Sequence, residues 1–182
     1  MRCWLILLML VVPVLNAADA AAESARAKLA LIEDDKAAPG SVIVFTSAEL
    51  NAWIRAELAE ESEVGLREPK LELGEGTATF EALADFQKLA GGEGGIFATV
   101  LAGERRVVLT VQPETSAGKI TVRLKHAEIS GVPLSGILLN LAAKLVLSRV
   151  YEETEIDQPF EMGHNIDHAT IEPTVLRVYI KK

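Results

Sequence analysis

Val42-Ile43-Val44-Phe45-Thr46-Ser47-Ala48-Glu49-Leu50-Asn51 is the stretch that decides how this chain begins to fold. Four β-prone residues run into Thr46, and Glu49 follows three positions later. That is the spacing of a capping box, in which a threonine hydroxyl and a glutamate carboxylate each take a backbone N–H at the start of a helix. Phe45 and Leu50 stand at the two positions of a hydrophobic staple. The pattern predicts a short strand entering a helix that runs to about Glu61. Leu50, Trp53, Ile54 and Leu58 recur on one face of that helix, while Glu49, Arg55, Glu57 and Glu60 occupy much of the rest. The helix therefore packs through its Leu/Trp/Ile face.

The sequence after this helix is rich in strand signals. Leu66 to Leu73 reads as a short strand, turned by Gly74-Glu75-Gly76. From Thr77 to Phe86 the residues alternate, with Ala78, Phe80, Ala82, Ala84 and Phe86 on one side and Thr79, Glu81 and Asp85 on the other. Small alanines between two phenylalanines leave room on the apolar side, for a closely packed element or for a groove. Arg105–Gln112 and Lys119–Ile129 form a hairpin pattern around residues 113–118, with the alternation of half-buried antiparallel strands. Phe160 leads into a last strand pair, Ile166–Ile171 and Val175–Ile180, joined by Glu172-Pro173-Thr174.

Between the hairpin and that pair, Gly131-Val132-Pro133 breaks the sheet and opens a second expected helix, to about Glu152. Proline suits a first-turn position. Apolar residues nearly surround its axis, leaving a narrow polar stripe at Asn140, Lys144 and Ser148. Such a helix is buried on most sides or faces an apolar ligand. Lys144 and Arg149 make it a poor membrane span.

The N-terminus has the layout of a signal peptide: Arg2, an unbroken apolar run from Trp4 to Val12, then small residues from Ala17 to Ala22. The apolar run is shorter than the about 20 residues that a spanning helix needs. Ala18-Asp19-Ala20 places cleavage after Ala20, with Ala18 and Ala22 as neighbouring options and an uncleaved anchor as the alternative. The only cysteine, Cys3, precedes the apolar run and is lost on cleavage, so the exported chain is held together without disulfides. Residues 21–38, rich in Ala, Lys and Glu, read as a short helix or a spacer ended by Pro39-Gly40. The organisation expected is a signal peptide at 1–20, an N-terminal helix or spacer at 21–41, and a single α+β domain at 42–182.

With 182 residues the chain is long enough for one domain with a substantial core. A hydrophobic content of 49% argues against disorder. The net charge of −8 disfavours nucleic acid as a partner and adsorption to an anionic membrane by charge alone. A neutral or apolar ligand fits better.

Catalytic patterns are sparse. His164-Asn165-Ile166-Asp167-His168 holds two histidines and an aspartate, the weak candidates for a metal. In a strand-like setting the two imidazoles would sit about 13 Å apart, too far to share one ion without a bend. Gly91-Gly92-Glu93-Gly94-Gly95 lacks the Lys-Ser/Thr end of a phosphate loop. No nucleophile elbow or paired-acid motif occurs. The expectation is a non-catalytic protein without a cofactor.

The strand entering a capped helix at 42–51, the amphipathic strands that follow, Ile129-Ser130-Gly131-Val132-Pro133-Leu134 opening an apolar helix, and the closing strand pair together resemble the YpmS-type bacterial envelope proteins. Behind these stands the tubular lipid-binding, or TULIP-like, group. The resemblance spans 42–182. Ser135 stands where YpmS-type proteins carry a second proline, and those proteins tend to keep a membrane anchor. The resemblance implies a strongly curved antiparallel sheet wrapped around a long amphipathic helix, with a second apolar helix and an apolar groove that takes lipid chains. Leu50, Trp53, Ile54, Phe80, Phe86, Leu138, Leu141 and Leu145 are the residues expected to line such a groove.

The leading expectation is therefore an exported protein, periplasmic or extracellular, that binds a lipid or another apolar ligand, with weak membrane association if the N-terminal segment stays. A structural or protein-interaction module of the envelope with a fully packed core is the first alternative. A metal-dependent hydrolase using His164, Asp167 and His168 is the second.

Overall fold

The computed structural model describes residues 17–60, 65–89, 103–135 and 158–182. The elements in chain order are α1 (Ala17–Glu33), β1 (Val42–Thr46), α2 (Ser47–Glu60), β2 (Leu66–Leu73), β3 (Ala78–Asp85) and α3 (Phe86–Leu89). They continue with β4 (Glu104–Ser116), β5 (Lys119–Ile129), β6 (Val132–Pro133), β7 (Pro159–Glu161), β8 (Ile166–Glu172) and β9 (Val175–Ile180). The architecture is α+β with antiparallel sheets. The signal-peptide region up to residue 16, the Gly-rich segment and the body of the second expected helix, with Leu138, Leu141 and Leu145, lie outside the described residues.

β1, β9 and β8 form a three-stranded sheet in that order. The larger sheet runs β2-β3-β4-β5, and both β6 and β7 pair with β5. Because β4 occupies one edge of β5, these two short strands share its other edge. β7 lies against Lys119–Thr121 and β6 against Glu128–Ile129. The sheets meet where the hairpin tips of the larger one reach β8. Gly118 N–H donates to the Asp167 carbonyl at 2.6 Å, Gly76 N–H donates to the Ile171 carbonyl at 3.0 Å, and Thr115 Oγ1 donates to the Ala169 carbonyl at 2.8 Å.

The capping box forms as the sequence predicts. Thr46 N–H donates to Glu49 Oε2 at 2.8 Å, and Glu49 N–H donates back to Thr46 Oγ1 at 3.2 Å. Phe45 and Leu50 both enter the first core cluster. Residues 21–33 are helical, within an α1 that packs on α2 and supplies Ala25 and Ile32 to that same cluster.

Three details differ from the sequence reading. Val132–Pro133, expected to break the sheet with Pro133 in a helix's first turn, instead form β6, which turns back at Ser130-Gly131 to pair with Glu128–Ile129, and the Leu134 N–H donates to the Ala127 carbonyl at 2.8 Å. The expected 113–118 connection is tighter than predicted: β4 continues to Ser116, and the chain reverses over Ala117 (φ 51°) and Gly118 (φ 77°). Two consecutive positive φ values define a two-residue turn whose twist matches the flanking strands. Pro113 stays in β4 because β3 has ended by then, at Ala78 opposite Val111, so its missing N–H removes no bond on that side. Phe86, expected at the end of a strand, instead opens α3. The Asp85 carboxylate accepts the N–H groups of Gln87 and Lys88 and turns the chain there.

Candidate functional site

The register of the larger sheet sorts its side chains by face, since residues two apart share a face. Ala78 pairs with Val111, Phe80 with Leu109, Ala82 with Val107 and Ala84 with Arg105. On the other side of β4, Val107 pairs with Ile129, Leu109 with Ala127 and Val111 with Leu124, across a bulge at Thr110/Val111. β2 adds Leu66 opposite Ala84, Leu71 opposite Phe80 and Leu73 opposite Ala78. The inner face is thus apolar from β2 to β5 except at Arg105.

Small side chains interrupt this face. Ala82, Ala84 and Ala127 are 2%, 1% and 1% exposed, whereas Ala78, the fourth alanine of this face, is half-buried. Phe80 is half-buried, and Phe86 is buried at the far end against Ala84, Val107, Leu109, Ala127 and Ile129. Leu66, Leu89, Leu124 and Leu134 border that cluster.

The outer face is the opposite in character. Arg106 Nε meets Glu81 at 2.6 Å, Arg67 Nη1 meets Glu104 at 2.8 Å and Arg123 Nε meets Glu114 at 2.6 Å. Thr79 and Thr110 share a hydrogen bond of 3.0 Å. Exposed pairs of this kind contribute about 0–1 kcal/mol each, so this face is solvated.

The groove residues expected from sequence are divided between two clusters. Leu50 lies in the first, with Trp53 packed against it, alongside Phe45, Leu73, Val178 and Ile180. Phe86 lies in the second. Phe80 sits on the sheet face, and Ile54 is half-buried on α2. Ala127 was absent from the sequence reading. Its signal was the break in β5's alternation at Lys125-His126, where the bulge shifts the face and turns Ala127 inward.

The histidine motif is placed differently from a metal site. His164 (φ 43°) and Asn165 (φ 54°) form the centre of a tight turn before β8. His168 Nδ1 lies 2.8 Å from Asp167 Oδ2, and its ring stacks on Tyr179 with centroids 4.1 Å apart. Among the described residues no three His, Cys, Asp or Glu side chains come together in a metal-holding group.

The strongest electrostatic feature lies between the two helices. Glu49 accepts from Lys28 Nζ at 2.5 Å and from Ser24 Oγ at 2.6 Å, besides its capping bonds to Thr46. Burial pushes its carboxyl up, but the hydrogen bonds from Lys28, Ser24 and Thr46 outweigh that and hold it down at about 2. Lys28 Nζ also donates to the Val44 carbonyl, so the pair helps to close the free edge of β1. It is an interior clamp, with no open volume for a substrate shown beside it.

No family model, no curated protein and no solved structure matches this chain. Among the described residues no helix is long and apolar enough to cross a membrane.

Proposed function

We propose that this chain is an exported protein of the bacterial envelope that binds a lipid or another apolar ligand on the inner face of its larger sheet, without catalysing a reaction. The observation that carries this reading is the apolar inner face of the larger sheet between Phe80 and Phe86, where small residues alternate with large ones. There Ala82, Ala84 and Ala127 are small buried residues flanked by larger apolar side chains. A mostly apolar concavity with few polar groups suits an acyl chain or a similar ligand. In this reading the larger sheet is the curved wall of a TULIP-like fold.

Export is supported by the pattern of α1. Ala17–Ala20 are all exposed, and the first buried residue is Ala22. Cleavage after Ala20 would therefore leave the buried side of α1 and its bonds to α2 complete.

Native mass spectrometry of the mature protein from an envelope fraction, before and after solvent extraction, tests the reading. The expected result is a bound mass in the lipid range that extraction removes. A clean apo mass that added lipids do not change would replace it with a packed structural or partner-binding module.

A further inference from the structure

We draw no further inference here: the strongest candidate, the free edge of β1 at Val42, a residue 44% exposed just beyond the point where Lys28 closes that edge at the Val44 carbonyl, carries none because nothing in the structure shows what partner covers it.

Discussion

The carboxamide of Asn51 stands in for a strand beside Leu71: Nδ2 donates to the Leu71 carbonyl at 2.7 Å, and Oδ1 accepts the Leu71 N–H at 2.8 Å. β2 is the outermost strand of its sheet, and its free edge is closed at Leu71 and Leu73. Pro69 has no N–H to offer, Asn51 satisfies Leu71, and Thr174 N–H donates to the Leu73 carbonyl at 3.3 Å. A bulge between Arg67 and Lys70 distorts the rest. Edge strands protected in this way resist pairing with other chains.

Asn51→Ala should therefore cost more than an ordinary helix substitution, because it leaves the Leu71 N–H and carbonyl without partners beside α2. The expected loss is about 1–3 kcal/mol, read from the urea midpoint. Asn51→Asp keeps the acceptor for Leu71 N–H but sets a carboxylate against its carbonyl, and should also destabilise. An alanine variant within about 0.5 kcal/mol of the parent would show that water replaces the carboxamide without loss.

What the sequence made legible follows the range of the interactions. The Thr46–Glu49 capping box is complete within four residues, and the structure reproduces it bond for bond. The long strands β2 to β5, β8 and β9 were readable because alternation is a local property, whereas the short β6 and β7 carry no alternation and were not. Two further features were out of reach. The partition of Leu50 and Phe86 into separate clusters depends on how the sheets meet at Gly118, Gly76 and Thr115, which no local pattern encodes. The partner of Glu49 was equally hidden, because Lys28 comes from a segment whose composition fits a spacer as well as a packed helix.

The Glu49 clamp predicts a specific acid sensitivity. Its carboxyl sits at about 2 in the folded chain against an ordinary 4.5. A depressed carboxyl contributes stability that is fully present above about 4.5 and is lost as pH falls towards 2. Glu49→Gln should be less stable than the parent at pH 7, and the two should converge as the pH approaches 2. Lys28→Met should show the same convergence, since it removes the main donor. Parallel stability curves for parent and Glu49→Gln across that range would remove Glu49 as the source.

Phe45 tests the first cluster. At 1% exposure it is the largest fully buried side chain described, placed among Ala25, Leu50 and Val178 beneath Lys28. Phe45→Ala should cost about 3–5 kcal/mol, and Phe45→Leu less because the cavity is smaller. Both are measured by equilibrium unfolding. The loss is expected to be local to the first cluster, which reaches the larger sheet only at Leu71, Leu73 and Ala78.

Ala84→Leu distinguishes a ligand-bearing face from a packed core at one position. Ala84 is 1% exposed, opposite Arg105 and Leu66, and touches the cluster around Phe86. If the chain's own side chains fill the space above it, three added carbons force them apart and cost about 1–3 kcal/mol. If a ligand fills that space, the apo protein accommodates the leucine, and the loss appears in binding. The apolar-ligand reading thus expects a delipidated variant with an unfolding midpoint close to the parent and with affinity for an added lipid reduced at least tenfold. Ala84→Gly, which adds nothing to this face, should retain binding and lose only the modest stability expected of glycine in a strand. A leucine variant that unfolds more easily in the delipidated state, with no binding in parent or variant, would identify this face as ordinary core.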